Sequence, residues 1–592
     1  MPFLDLSETL KRGIRATDSY DGQPSIASLK GLACRAEGLL PIEYPINPIQ
    51  TTLGANLLPE GNFDSTGDWT WDAGWQIVTR AYHAGNTAGT LSHPIDIPAG
   101  TYRITGAVQI STPSAGTYVT ITLGSFTSEH LTTQQNFSFD VTITGATQID
   151  IYAPAGSNTI YLDDIQVFQT FSYDFPFPNL FVGRFGALLG FRAQLARIEA
   201  GWIPVPLEIY DADTPANGFQ IQEGGVWDIA EFGQNWIATN GVSTVWRHGF
   251  LAFPLVLGRN NRTVSSVCFH RGRVLFGGWS DDPLDENVYY NQEANLYAAL
   301  DKRAICWTAF GGADAFEYLM SGTLDTTQKD RLLRLNEGGF TLLPIERGVL
   351  RLLPMDDFVI VYTEDGIFRM PFTVDPPMYG VQRLTEACLY RRESVAGDEM
   401  QQVFLDTTGR LFRVTDEGAQ LLGYQSVFLP FVLGGETVCI TYDHVRNDFY
   451  ITAADRYFLL TPQGLTETNR GVLTVRRHYD GLLGILGPMD SLEGAIVSDP
   501  IDLGVPDMKT LHSVRIASSG ASVQPSVTLS GRMDPAGTWR DRTKELDATG
   551  LAINPVTGRE IKFAVNSTNV ENWKVTSLSM VWMKEGRTRL RA

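Results

Sequence analysis

Phe358-Val359-Ile360-Val361-Tyr362-Thr363, then Glu364-Asp365-Gly366, then Ile367-Phe368-Arg369-Met370 is the stretch on which the reading of this chain turns. A run of β-formers ends in an Asp-Gly turn and restarts as a second β run, the pattern of a tight hairpin. The unit recurs. Ala187–Gly190 leads into Leu195–Ile198, Trp236–Gly241 into Thr244–Arg247, Val403–Gly409 into Leu411–Val414, and Phe449–Thr452 into Tyr457–Leu460. With Arg197, Arg247, Arg369, Arg413 and Leu459 as markers of the second strand, the steps are 50, 122, 44 and 46 residues. A repeat of roughly 40–50 residues made only of short strands predicts β-propeller blades over 172–480. About six are expected, with five and seven as the alternatives, the long step hiding units of which His270-Arg271-Gly272-Arg273-Val274-Leu275-Phe276-Gly277-Gly278 is one core. The competing reading is a meandering β-sandwich.

Working outward, 592 residues are too many for one core and predict three to five domains. Hydrophobic content of 43% against 19% charged is that of a globular protein. A formal charge of −20 repels nucleic acid and anionic membrane, so stable DNA or RNA binding is disfavoured. Cys34, Cys268, Cys306, Cys388 and Cys439 are scattered, with no CxxC, and read as apolar thiols in a reducing compartment. The N-terminus lacks the basic start of a signal peptide, and no apolar stretch reaches the ~18 residues that span a bilayer. A soluble protein made in the cytoplasm is expected.

Residues 1–51 are expected to form an N-terminal arm and the start of an interrupted domain, with a short, weak helix over 26–37. Residues 55–168 change character. Charge thins out, and short alternating strands such as Tyr118–Thr122 and Phe137–Val141 follow one another. The stretch opens with Asn56–Phe63 and the cluster Trp69, Trp71 and Trp75, and closes with Ile160–Val167. That pair of ends resembles the β-jelly-roll modules of carbohydrate-binding type. Exposed indoles stack on the apolar faces of sugars, so the three tryptophans are a candidate platform, set against plain core packing. The resemblance also implies a structural calcium shared by the opening and closing strands, for which Glu60 and Asp164 are the candidate oxygen ligands. The flanks of the module read as one domain interrupted by an insertion. Residues 485–592 predict a C-terminal β-sandwich with a basic tail, Lys584, Arg587, Arg589 and Arg591.

Catalytic signatures are missing from the sequence. The eight histidines never fall at HxH or HxxxH spacing, and no Gly-x-Ser-x-Gly elbow or phosphate loop occurs. Asp281-Asp282 and Asp356-Asp357 are adjacent carboxylates, which point to opposite faces of a strand and read as turn residues. Arg197, Arg247, Arg369 and Arg413 could converge on a propeller axis to hold a carboxylate; repeated exposed edge positions are the plainer reading.

The strand Gly272–Gly278, a polar excursion, then Asn287-Val288-Tyr289-Tyr290-Asn291, together with Val359–Ile367 and Gly586-Arg587-Thr588-Arg589, resembles the tail nozzle (tail tubular protein B, or tail hub) of short-tailed bacteriophages. The resemblance implies a structural virion protein, not an enzyme, forming a homo-oligomeric, hexameric ring at the end of the tail. Portal and adaptor proteins would lie above it, tail fibres or spikes at its side, and genomic DNA would pass through without stable binding. The alternative is a protein that binds or cleaves host-surface glycan. The fold class expected is all-β: a β-propeller of about six blades, an inserted jelly roll and a C-terminal β-sandwich.

Overall fold

The structure, a computed structural model, describes residues 3–584 apart from 8–13, 15–25, 171–178, 208–223, 255–262, 281–300, 309–338, 374–378, 502–507, 520–524 and gaps of one to four residues. Strands dominate the described residues, and Gln425–Leu433 is the α-helix described over its whole length. The chain is all-β.

The Phe358–Thr363 and Gly366–Pro371 strands pair antiparallel with Thr363 opposite Gly366. Glu364 and Asp365 make the turn, and the Thr363 hydroxyl accepts the Asp365 N–H at 3.0 Å while donating to the Gly366 carbonyl at 2.8 Å. With Val349–Met355 before and Gln382–Thr385 after, the hairpin is the middle of a four-stranded meander. Each of the other four repeated units is likewise the second and third strand of such a sheet. Six four-strand meanders follow in order: 179–206, 228–254, 264–342, 349–385, 395–423 and 438–468. A seventh sheet joins Arg470–His478 and Gly481–Met489 to Ile46–Pro48, the last running parallel to its neighbour.

Seven sheets therefore stand where about six units were expected. The third was blurred because 24 residues separate its second strand, Arg273–Trp279, from its third, Ala304–Trp307. The seventh was missed because its outer strand comes from the N-terminus, and its first hairpin straddles residue 480, where the expected boundary fell.

Alternation explains why the repeat is so apolar. In Phe358–Thr363, Val359 and Val361 pack towards the third sheet while Ile360 and Tyr362 pack towards the fifth. A strand covered on both faces carries no polar side, hence the near-continuous apolar run. Similar cores join the first sheet to the second, the second to the third, the fifth to the sixth, the sixth to the seventh and the seventh to the first. The leading strand of the seventh sheet packs against the leading strands of both the sixth and the first.

Between the seventh sheet and the first sits the module. Thr52–Leu53 pairs with Gln169–Thr170, so its two ends lie side by side. A five-stranded and a six-stranded antiparallel layer face each other across one core, and the chain passes back and forth between them in the manner of a jelly roll.

At the other end, Ile26–Lys30 and Leu32–Arg35 are strands, not the helix expected over 26–37. Gly31, at φ +81°, turns the chain from one sheet to the other. Ile26–Lys30 lies between Leu465–Thr468 and Gly494–Ser498, fusing the sixth meander to the C-terminal region as one nine-stranded sheet. Leu32–Arg35 and Gly38–Pro41 join Lys574–Lys584 in the facing sheet. The sandwich expected of 485–592 thus takes central strands from the N-terminus. Such long-range pairing overrides a weak local preference for helix. The basic tail beyond Lys584 and the 287–291 motif lie outside the described residues.

Candidate functional site

The three tryptophans do not form a platform. Trp69 (3% exposed) packs on Phe63 and His93, and Trp75 (1% exposed) packs on His83 and donates its indole N–H to the Gly89 carbonyl at 3.1 Å. Both are core of the module. Trp71 alone is exposed, at 40%, on an edge strand opposite Leu91.

Glu60 lies outside the described residues. Asp164 is exposed at φ +50°, in a bulge of the closing strand where its N–H donates to the Asp163 carboxylate at 3.0 Å. The opening and closing segments do meet, for Ile165 N–H donates to the Gly61 carbonyl at 2.9 Å. Calcium takes six to eight oxygens, and among the described residues no three His, Cys, Asp or Glu side chains gather to hold an ion.

A different site lies on the outer face of the module. Along Ile160-Tyr161-Leu162-Asp163 the apolar residues point into the core, which sends Tyr161 and Asp163 outward. Pairing then sets two rows across the sheet. In one, Asn136, Ala107 and Asp163 are neighbours; in the next, Gln109, Tyr161 and Tyr82. The short side chain of Ala107 leaves a depression between longer ones, a cleft of about 350 Å³. The Tyr82 and Tyr161 rings lie 5.4 Å apart at 38° to each other. Arg80, from the turn after Trp75–Ile77, sets its guanidinium 4.3 Å from the Tyr161 ring centre and reaches Gln109 Oε1 at 3.4 Å. Farther along the face, Arg103 and Asp140 form a two-pronged ion pair at 2.7 and 3.0 Å.

This constellation has the means to hold a sugar. Aromatic faces pack on its C–H surface, and amides and a carboxylate bond its hydroxyls. A search for tryptophan passes over it. The signal available was a tyrosine at an outward position of an otherwise regular apolar-in strand.

A second group of polar side chains is buried among the leading strands of the meanders. Asp228 accepts from Arg351 Nε at 3.0 Å, from Arg392 Nη2 at 3.3 Å and from the Ser266 hydroxyl. Arg351 also donates to the Arg392 and Val395 carbonyls, and Arg392 to that of Thr239. Residues of the second to fifth sheets are thereby tied together. Burial holds the Arg392 guanidinium below its usual pKa, and pushes that of Arg476, helped by the charge of Arg351, down to about 10. The arginines picked out by the repeat stand elsewhere. Arg197, Arg247, Arg369 and Arg413 all fall on third strands, whereas this group stands on the leading ones. Asp356 and Asp357 form the turn between paired Met355 and Phe358, where Arg271 reaches both.

No protein-family model and no curated protein matches the chain. Among solved structures it is similar to TmCBM61 in complex with beta-1,4-galactotriose, at 14% identity over 20% of this chain and 99% of that one, TM-score 0.17. It is also similar to a family 16 carbohydrate binding module, at 14% over 19% and 99%, TM-score 0.17. A xylan-binding domain from Paenibacillus barcinonensis gives 17% over 21% and 99%, TM-score 0.17. Likenesses of that size do not decide what this chain binds; the residues of the cleft carry that question.

Proposed function

We propose that this protein binds glycan through the outer face of the module, which it carries on a closed seven-bladed β-propeller. The observation that carries the binding role is the cleft itself, where Tyr161 lies with Arg80, Gln109, Asn136 and Asp163 and the Tyr82 ring flanks Tyr161. Support for the propeller comes from the chain of interfacial cores, which leads from each sheet to the next and from the seventh back to the first. The protein acts as a binder and not a hydrolase: its buried Asp228 is held by two arginines and a serine and presents no free acid/base pair.

Tyr161→Ala in the full chain tests this reading. Binding on an oligosaccharide array falls at least about tenfold, as loss of one stacking ring predicts, while far-UV circular dichroism stays unchanged. Absence of any glycan binding by the unaltered protein overturns it.

The structural role in a phage tail nozzle is a second reading. Its support is the order of the third sheet, where Arg273–Trp279 is followed by a long excursion before Ala304–Trp307, and the charge of −20, which suits a conduit through which DNA slides without binding. Electron micrographs of the purified protein decide it: rings of several copies are expected, and monomers alone would exclude it.

A further inference from the structure

We infer that the glycan taken by the cleft is acidic, a chain of uronic-acid residues whose carboxylate is read by Arg80. The inference rests on the glycan-binding reading and narrows it.

Arg80 is the only cation lining the cleft among the described residues. Two contacts hold it, the face of Tyr161 and a long hydrogen bond to the neutral Gln109, and among the described residues no carboxylate pairs with it. Arg103, on the same face, shows the contrast, for its charge is already met by both oxygens of Asp140. A guanidinium stacked on a ring keeps its plane fixed and its N–H edge open, the fork that suits a carboxylate.

Asp163 also lines the cleft, but in the other row. It stands two residues along the strand from Tyr161, roughly 6–7 Å away, opposite Ala107. There it is placed to accept from sugar hydroxyls while a carboxylate sits at Arg80. Cation and acid thus fix the direction in which a chain lies. A neutral glycan would leave Arg80 with no opposite charge.

The experiment measures binding of hexamers of galacturonate and of mannuronate, and of their methyl esters, to the full chain, the Arg80→Gln variant and the Tyr161→Ala variant. At least one free acid is expected to bind about tenfold or more tighter than its ester at low salt, with the gap narrowing as salt rises. Arg80→Gln closes the gap, the free acid losing more affinity than its ester; Tyr161→Ala weakens both. Equal affinity for acid and ester, or a gap that survives Arg80→Gln, overturns the inference and leaves glycan binding standing. No binding of acids, esters or neutral hexamers such as xylohexaose overturns both.

Discussion

His83 shows how burial at one residue becomes a property of the module. Its ring is fully buried against Trp75, Nδ1 accepts from the Gly85 N–H at 3.3 Å, and Nε2, near the Thr87 backbone, has no well-formed hydrogen bond among the described residues. Gly74 makes the room, since a Cβ there would stand 2.7 Å from Nε2. Burial disfavours the imidazolium and lowers the pKa from the ordinary 6.5. Above pH 6.5 both the folded and unfolded rings are neutral and the contribution to stability is whole. As pH falls below 6.5 the unfolded chain takes up a proton that the folded module refuses, so stability drops until the depressed pKa is reached. The slope is at most about 1.4 kcal/mol per pH unit. Hydrogen exchange of strand Ala81–His83 is expected to quicken between pH 6.5 and 5, beyond its intrinsic pH dependence, and to lose most of that excess in His83→Gln. Equal excess slopes in the two proteins would discard the account. His270 in the third sheet shifts in the same direction for the same cause, which is why a local probe is needed.

At the scale of elements, the sequence was most legible where geometry is local. The hairpin at Glu364-Asp365 could be read because Gly366 sits at φ +142°, where a side chain is strained, and because Asp365 ties the preceding loop by accepting from the Glu346 and Arg347 N–H groups. A Cβ on Gly366 would also stand 3.0 Å from the Thr385 carbonyl and from the Arg383 guanidinium. Gly186 in the first sheet has a similar φ of +125° with nothing within 4 Å. Gly366→Ala should therefore cost more than Gly186→Ala, about 2–3 kcal/mol against about 1. Denaturant titration compares them, and equal costs would show that backbone strain alone sets the penalty. Elements made by distant partners were not legible. Ile26–Lys30 is β because Leu465–Thr468 and Gly494–Ser498 flank it, and nothing within residues 26–37 announces either neighbour. The site failed for a related reason. Trp69 and Trp75 have the chemistry of a sugar platform, but only the packing of the module decides that they face inward and that Tyr82 and Tyr161 face out.

For the whole molecule, two cuts of the chain should have opposite outcomes, and topology says why. Residues 54–168 leave and return through Thr52–Leu53 and Gln169–Thr170, which pair with each other. The core of the module is its own, so a short Gly-Ser linker in its place removes one closed unit and exposes little else. Residues 1–41 are fewer, yet they supply Ile26–Lys30 to the middle of the nine-stranded sheet, and Leu32–Arg35, Gly38–Pro41 and Phe3–Asp5 to the sheet facing it. Leu29, Leu32, Cys34 and Leu39 are fully buried in the core shared by the fifth and sixth meanders and the C-terminal sandwich. Arg35 reaches back to Asp448 of the sixth meander in a two-pronged ion pair at 2.7 and 2.5 Å, leaving that buried carboxylate unpaired if the segment is lost. Loss of one such partner alone costs about 3–5 kcal/mol, a large part of the stability of a domain. The chain lacking 54–168 is expected to stay soluble, with its remaining unfolding transition close to that of the intact protein. The chain lacking 1–41 is expected to lose the C-terminal sandwich and precipitate. If it instead folds with an unchanged transition, the N-terminal strands are an appendage and the two ends of the chain are not one core.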